Sequence, residues 1–355
     1  MDRPLRRPGP RVGAAAAVSA VALWLAARNS HIDGLRSAMA GATFLWLLPY
    51  PIICVVLNVI RGEIWRQLLQ RRVGTAEAFW AYSVGFLANN VLPFRLGEAA
   101  RVVVLSTHSG RPVVEVAAAA GLERLLDLAA LSLMLALVAP VVARVPGLTG
   151  AALLIVAFVG IALTIVVALT RFRNSASTKV ESVTRWLPEA LRQAVMERWK
   201  DLTRGLAVLL KPRIGIPVAG ASIVVWILTV VLQWLVLRAF QPAATAADAA
   251  FMVAAVSLAI ALPAAPGFVG VYHWAGQQAL VAAFPERYDA STALAAATVA
   301  HAVSYLTSTA LGLIGLWYFG LPPSAMADVV QPVAVDLSFA DAHARDADSP
   351  AGIAH

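Results

Sequence analysis

Apolar positions in this chain fall into long blocks, at residues 12–28, 41–60, 75–92, 113–143, 150–170, 214–240, 250–284 and 291–319, separated by polar breaks. Most blocks approach or exceed the ~20 residues that a helix needs to cross a hydrocarbon core of ~30 Å. Within lipid every backbone N–H and C=O needs a partner inside the protein, and a helix supplies its own. The pattern predicts an all-α polytopic membrane protein. Two blocks are irregular. The 75–92 block ends in Asn89 and Asn90 and runs into Pro93, while 250–284 is cut by Pro263, Pro266, Gly267 and Gly270, which remove donors and loosen a helix.

The polar breaks are basic, and their charge sets a topology. Arg61, Arg66, Arg71 and Arg72 follow the second block, and segment 171–213 is rich in arginine and lysine, so both belong on the cytoplasmic side. Three blocks lie between these two segments, and three complete crossings cannot join loops on one side. The 75–92 block is therefore predicted to dip in from the cytoplasm as part of a hairpin. The broken block 250–284 is predicted to re-enter from the opposite face. The expected fold is about six full spans plus two broken or re-entrant helical hairpins, a possible inverted repeat of the kind found in secondary transporters.

Residues 1–11 read as a basic cytoplasmic N-terminus, 12–320 as the membrane domain and 321–355 as a disordered cytoplasmic tail. The 12–28 block reads as an uncleaved first span, because it is long for a signal peptide and ends in Arg28 and Asn29 without a clear small-residue cleavage site. In the 171–213 loop, Leu187, Leu191, Val195, Leu202, Leu206 and Leu210 recur near helical spacing, with Trp186 and Trp199 placed for headgroup level. An interfacial amphipathic helix is predicted there.

Composition agrees with the pattern: 60% of residues are hydrophobic and 14% charged. The net charge of +8 would suit nucleic acid, but the cations sit between apolar blocks, where membrane orientation accounts for them. The single cysteine, Cys54, excludes an internal disulfide or a cysteine-cluster metal site, and no cofactor is expected.

Chemistry is concentrated behind the first irregular block. Ionisable residues at membrane depth cost about 2.5–3.5 kcal/mol each and are usually retained for function. Asn89, Asn90, Arg95, Glu98 and Arg101 fall within thirteen residues, and a helix starting near Leu96 places Arg95 at its entrance. Helix starts favour anions, and the arginine fork binds phosphate through two parallel hydrogen bonds. Arg95 and Arg101 are thus candidates for a phosphate headgroup, with Glu98 orienting one of them. Glu123, Arg124 and Asp127 share neighbouring helix positions, so two carboxylates flank one guanidinium as a second cluster. At the second break His273, with Pro266, Gly267 and Gly270, is a candidate for proton coupling. His301, with no carboxylate within a turn, reads as a neutral interhelical histidine.

Asn-Asn-x-x-Pro-x-Arg-x-Gly-Glu-x-x-Arg at 89–101, Glu-Arg-x-x-Asp at 123–127, Arg61, Arg66 and the Pro263 to Gly270 segment together resemble the flippase-like membrane domain of bacterial lysylphosphatidylglycerol synthases and their stand-alone relatives. The resemblance covers most of residues 10–320. It implies a bacterial inner-membrane protein, with both termini cytoplasmic, that moves anionic or aminoacylated phospholipids between leaflets, and stand-alone relatives handle anionic phospholipid, polyprenyl-phosphate or hopanoid-type lipids. Many members carry a glutamate after the second break where this chain has His273. Only about 35 residues follow the last block, short of even a small ~50-residue domain, so no aminoacyl-transferase activity is expected. The alternatives are a membrane-embedded transferase acting on a lipid-linked substrate, with Glu98, Glu123 or Asp127 as base, and a non-transporting scaffold for an envelope enzyme.

Overall fold

The computed structural model describes residues 10–28, 30–92, 95–142, 148–261 and 265–322, and among them every regular element is helical. In chain order the α-helices are α1 (Pro10–Ala27), α2 (Ile32–Gly41), α3 (Tyr50–Leu68), α4 (Thr75–Val91), α5 (Gly97–Ser109), α6 (Val113–Val138), α7 (Leu148–Arg171), α8 (Arg173–Val183), α9 (Glu189–Ala207), α10 (Pro212–Phe240), α11 (Ala246–Ala259), α12 (Val271–Ala283) and α13 (Ala290–Tyr318). Pro93, Pro263, nearly all of the basic N-terminus and the tail beyond residue 322 lie outside the described residues.

The six predicted spans correspond to α1, α3, α6, α7, α10 and α13. Residues 44–68, 212–240 and 290–318 are long and apolar enough to cross a membrane by composition alone. Helix α6 has 26 residues, or ~39 Å at 1.5 Å per residue, and carries Glu123, Arg124 and Asp127 at its middle.

The two irregular blocks form hairpins. Helices α4 and α5 have 17 and 13 residues, about 26 and 20 Å, so neither spans a ~30 Å core. They pack closely because Gly97 lacks a side chain: a Cβ there would lie 2.0 Å from the Gly85 carbonyl oxygen. At the open end of this hairpin His108 Nε2 lies 3.9 Å from Glu77 Oε1. The last turn of α13 reaches the same end, where Trp80 stacks on Tyr318 and His108 meets Phe319 edge-on. Lys211 Nζ donates to Gln70 Oε1 at 3.4 Å beside them, which makes this the basic face.

Helices α11 and α12, of 14 and 13 residues, form the second hairpin. Its open end is closed by Tyr288 Oη donating to Asp248 Oδ2 at 3.0 Å and by the Arg287–Asp248 pair at 3.1 Å, next to the start of α13. The hairpins therefore open toward opposite ends of α13, and their breaks meet halfway along it. Asn90 Nδ2 donates to Ser308 Oγ at 3.0 Å and Thr309 Oγ1 at 2.9 Å, while His301 Nε2 lies 2.7 Å from the Gly267 carbonyl.

Two sequence expectations change. Arg61 is not a loop cation but a buried residue within α3, 9% exposed. In the 171–213 segment, α9 leans on α6, since a Cβ on Gly205 would come within 2.8 Å of Ala118 Cβ. Trp199 donates to Ser177 Oγ at 3.2 Å, tying α9 to α8, whereas Trp186 stays exposed. Packing against neighbouring helices takes one side of α9 that the sequence assigned to lipid headgroups.

The hairpin topology is tested by single cysteines on a Cys54→Ser background. Cysteines at Arg71 and Thr107, flanking the first hairpin, should react with an impermeant maleimide from one side, and those at Ala243 and Pro285 from the other; all four positions are exposed. Labelling of 71 and 107 from opposite sides overturns the first hairpin.

Candidate functional site

Helical periodicity builds the site from five elements. Helix α3 supplies Asn58, Arg61 and Trp65 on one face, α5 supplies Glu98 and Arg101 from its first turns, and α6 supplies Glu123, Arg124 and Asp127. Helix α10 contributes Trp226, Thr229 and Gln233, and α13 contributes His301, Tyr305 and Ser308.

Three arginines and three carboxylates close into one network. Arg61 Nη1 donates to Glu123 Oε1 at 2.7 Å and to Asp127 Oδ1 at 2.8 Å. Arg101 bonds Glu98 and reaches Glu123 Oε2 at 3.0 Å. Arg124 holds Glu98 Oε1 at 2.5 Å and Asp127 Oδ2 at 3.0 Å. Two indoles complete the acceptors: Trp65 Nε1 donates to Glu123 Oε2 at 2.7 Å and Trp226 Nε1 to Asp127 Oδ1 at 3.0 Å. Glu123 is fully buried, as a carboxylate in a low-dielectric interior is only when charged donors surround it. Arg101 also sits in the corner between the perpendicular rings of Trp65 and Tyr82, with its guanidinium carbon 4.7 and 4.8 Å from the ring centres.

Arg95 stands apart. Among the described residues its side chain makes no ion pair or hydrogen bond, while its carbonyl accepts from the Glu98 N–H at 3.3 Å, and it occupies the left-handed region at φ 56° in the turn between α4 and α5. That conformation costs a non-glycine residue about 1–3 kcal/mol and tends to persist where function requires it. Arg95 lines a cavity of about 460 Å3 together with Arg61, Glu98, Arg124, Asp127, Asn89 and Asn90. The far wall is neutral and polar or aromatic, with Gln233, Tyr272, His301 and Tyr305. Arg101 and Glu123 lie behind this wall and do not line the cavity.

The asparagines hold the first break together. Asn89 Oδ1 accepts from the Gly97 N–H at 2.9 Å, and the Asn90 amide clamps α13. The second break is held likewise: Ser19 Oγ accepts from Ala265 N–H at 2.9 Å, and His273 Nδ1 accepts from Gly270 N–H at 3.2 Å. Gly267 and Gly270 have φ of 67° and 87°, and Phe268 has φ 58°, mirroring Arg95 in the first break. Pro266 opens the short turn 266–268. The rings of His273 and His301 meet edge-on at 4.9 Å, and Tyr272 stacks on His301 at 4.7 Å.

The structure thus brings together Asn89, Asn90, Arg95, Glu98, Arg101, Glu123, Arg124 and Asp127, with His273 in the other break. The sequence reading did not assign Arg61, Trp65, Tyr82, Trp226 and Gln233 to the site. A signal was present: Asn58, Arg61 and Trp65, and Trp226, Thr229 and Gln233, each recur at i, i+3, i+7 and mark a polar stripe on an otherwise apolar span. Among the described residues no group of three or more His, Cys, Asp or Glu could hold a metal ion.

Removing one member of a buried ion network leaves its partners uncompensated, at a cost of about 3–5 kcal/mol. Glu123→Gln should therefore lower the thermal midpoint in detergent sharply. Arg95→Ala, which breaks no pair, should cost about 1 kcal/mol or less. Equal losses from the two would mean that Arg95 is part of the same structural network.

The comparisons with known proteins agree with this architecture. No curated protein and no solved structure matches the chain. The family model for the lysylphosphatidylglycerol synthase TM region matches residues 12–312, which include both breaks and the whole charge network. This chain belongs to the lysylphosphatidylglycerol synthase TM region family.

Proposed function

We propose that this protein binds a phosphate-bearing lipid by its headgroup in the cavity between the two broken helices and carries it from one leaflet to the other. The observation that carries the reading is Arg95. Three arginines and three carboxylates neutralise one another, and Arg95 adds a cation on the cavity wall whose side chain has no hydrogen-bond or ion-pair partner among the described residues. A cation held at membrane depth without a counter-ion calls for an anionic ligand. Broken helices from opposite faces that meet at mid-depth are where secondary transporters place their substrates. Membership of a flippase-like family adds to the same reading.

In this reading the basic face is cytoplasmic, the membrane is the bacterial inner membrane, and both termini lie inside. Arg95 contacts phosphate, while Arg124, on the cavity wall, stays bridged to Glu98 and Asp127. Arg101 is a positioning residue that fixes Glu98 and Glu123.

Translocation of a fluorescent phosphatidylglycerol in proteoliposomes tests the proposal. Arg95→Lys keeps the charge but loses the planar fork, so it should impair lipid retention nearly as much as Arg95→Ala. Loss of a charge-assisted hydrogen bond costs about 1.5–3 kcal/mol, roughly ten- to a hundred-fold in affinity. Arg95→Gly should likewise lose binding while the thermal midpoint holds, because glycine adopts the left-handed conformation without strain. Wild-type binding and transport by Arg95→Ala would place the headgroup elsewhere.

A further inference from the structure

The charges on the cavity wall also set which phosphate lipids fit. The wall carries two carboxylates, Glu98 and Asp127, and both are taken. Arg124 bridges them, at 2.5 Å to Glu98 Oε1 and 3.0 Å to Asp127 Oδ2, while Arg101 holds the other oxygen of Glu98 and Arg61 lies 2.8 and 2.9 Å from the two oxygens of Asp127. The residues of 12–320 outside the description are 29, 93, 94, 143–147 and 262–264, and none is Asp or Glu. After the second break the position facing Gly270 is His273, whose Nδ1 is already engaged by the Gly270 N–H. With four arginines and three carboxylates in the cluster, one positive charge is left over, on Arg95.

We infer that the cavity selects phosphate lipids whose headgroup carries no ammonium group and rejects aminoacylated, cationic lipids, with Arg124 as the residue that sets this selectivity by occupying Glu98 and Asp127. The inference rests on the headgroup reading proposed above and narrows it. An ammonium group entering the cavity meets Arg95 and finds no free carboxylate, and like charges brought together in a desolvated site cost enough to exclude a ligand. Arg124 is partly exposed, with a side chain 38% accessible, so its removal frees Glu98 Oε1 toward the cavity, brings the cluster to three arginines against three carboxylates, and leaves the buried Arg61–Glu123–Arg101 core in place.

The test is lipid competition on the purified full-length protein, read by native mass spectrometry with equimolar phosphatidylglycerol and lysyl-phosphatidylglycerol. Wild type should retain phosphatidylglycerol over the lysyl form by at least about tenfold. Arg124→Gln should shrink or invert that ratio, and Glu98→Gln, which adds net positive charge, should widen it. The ratio moves in opposite directions in the two variants, which a loss of folding does not produce. Equal retention of the two lipids by wild type, or preference for the lysyl form, overturns the inference and leaves the headgroup reading standing. An Arg124→Gln protein that loses both lipids equally shows a structural role and also overturns it. Retention of neither lipid by wild type sinks the headgroup reading itself, and the selectivity with it.

Discussion

A single buried carboxylate organises the fold. Glu123, with no solvent exposure, accepts from Arg61 of α3, Arg101 of α5 and Trp65 of α3, so two helices are fixed to one side chain at the middle of α6. An isolated ion there would be prohibitively costly, and the surrounding donors make it tolerable only in one geometry. The short α5 depends on this most. It does not cross the membrane and cannot rely on lipid contact along a full span. Its place against α4 comes from the close glycine contact at Gly97 and from Arg101, whose guanidinium is at once ion-paired and set in the corner between two aromatic rings.

The second constraint is the backbone at the two breaks. Interrupting a helix at membrane depth frees N–H and C=O groups that lipid cannot satisfy. Each break answers with side chains: Asn89 takes the Gly97 N–H, Ser19 the Ala265 N–H, His273 the Gly270 N–H, and His301 reaches the Gly267 carbonyl. Several polar residues that look functional in sequence thus have backbone partners. The exception among the described residues is Arg95, a strained cation whose side chain makes no ion pair or hydrogen bond there, beside Glu98, Arg101, Arg124 and Asp127, which are engaged.

The breaks also explain where the cavity lies. Neither hairpin fills the depth of the bundle, so space remains where their tips approach α13 from opposite faces. The same hairpins leave one wall charged, from α3, the α4–α5 turn, α5 and α6, and put uncharged residues of α10, α12 and α13 on the rest of the lining. A ligand between them meets two chemistries at once, suited to a headgroup with a charged part and an uncharged part.

How much of this was legible in the sequence follows from which features are local. The apolar blocks and the interruptions at Asn90 and at Pro266 to Gly270 fixed the helical class and the existence of two hairpins, because membrane thickness and backbone pairing act on each segment separately. Loop charge and parity gave their opposite openings for the same reason. The cluster at 95–101 and the one at 123–127 were also visible as residues. Their roles were not. Spacing places Arg95 and Arg101 side by side, yet α6 draws Arg101 into the Glu123 network and leaves Arg95 free. Likewise Arg61 reads as a loop cation until α3 is set against α6. Which charge is neutralised depends on partners tens of residues away, brought within 3 Å by packing that no local pattern encodes, and so only the tertiary structure separates the arginine that faces the cavity from those that hold the bundle together.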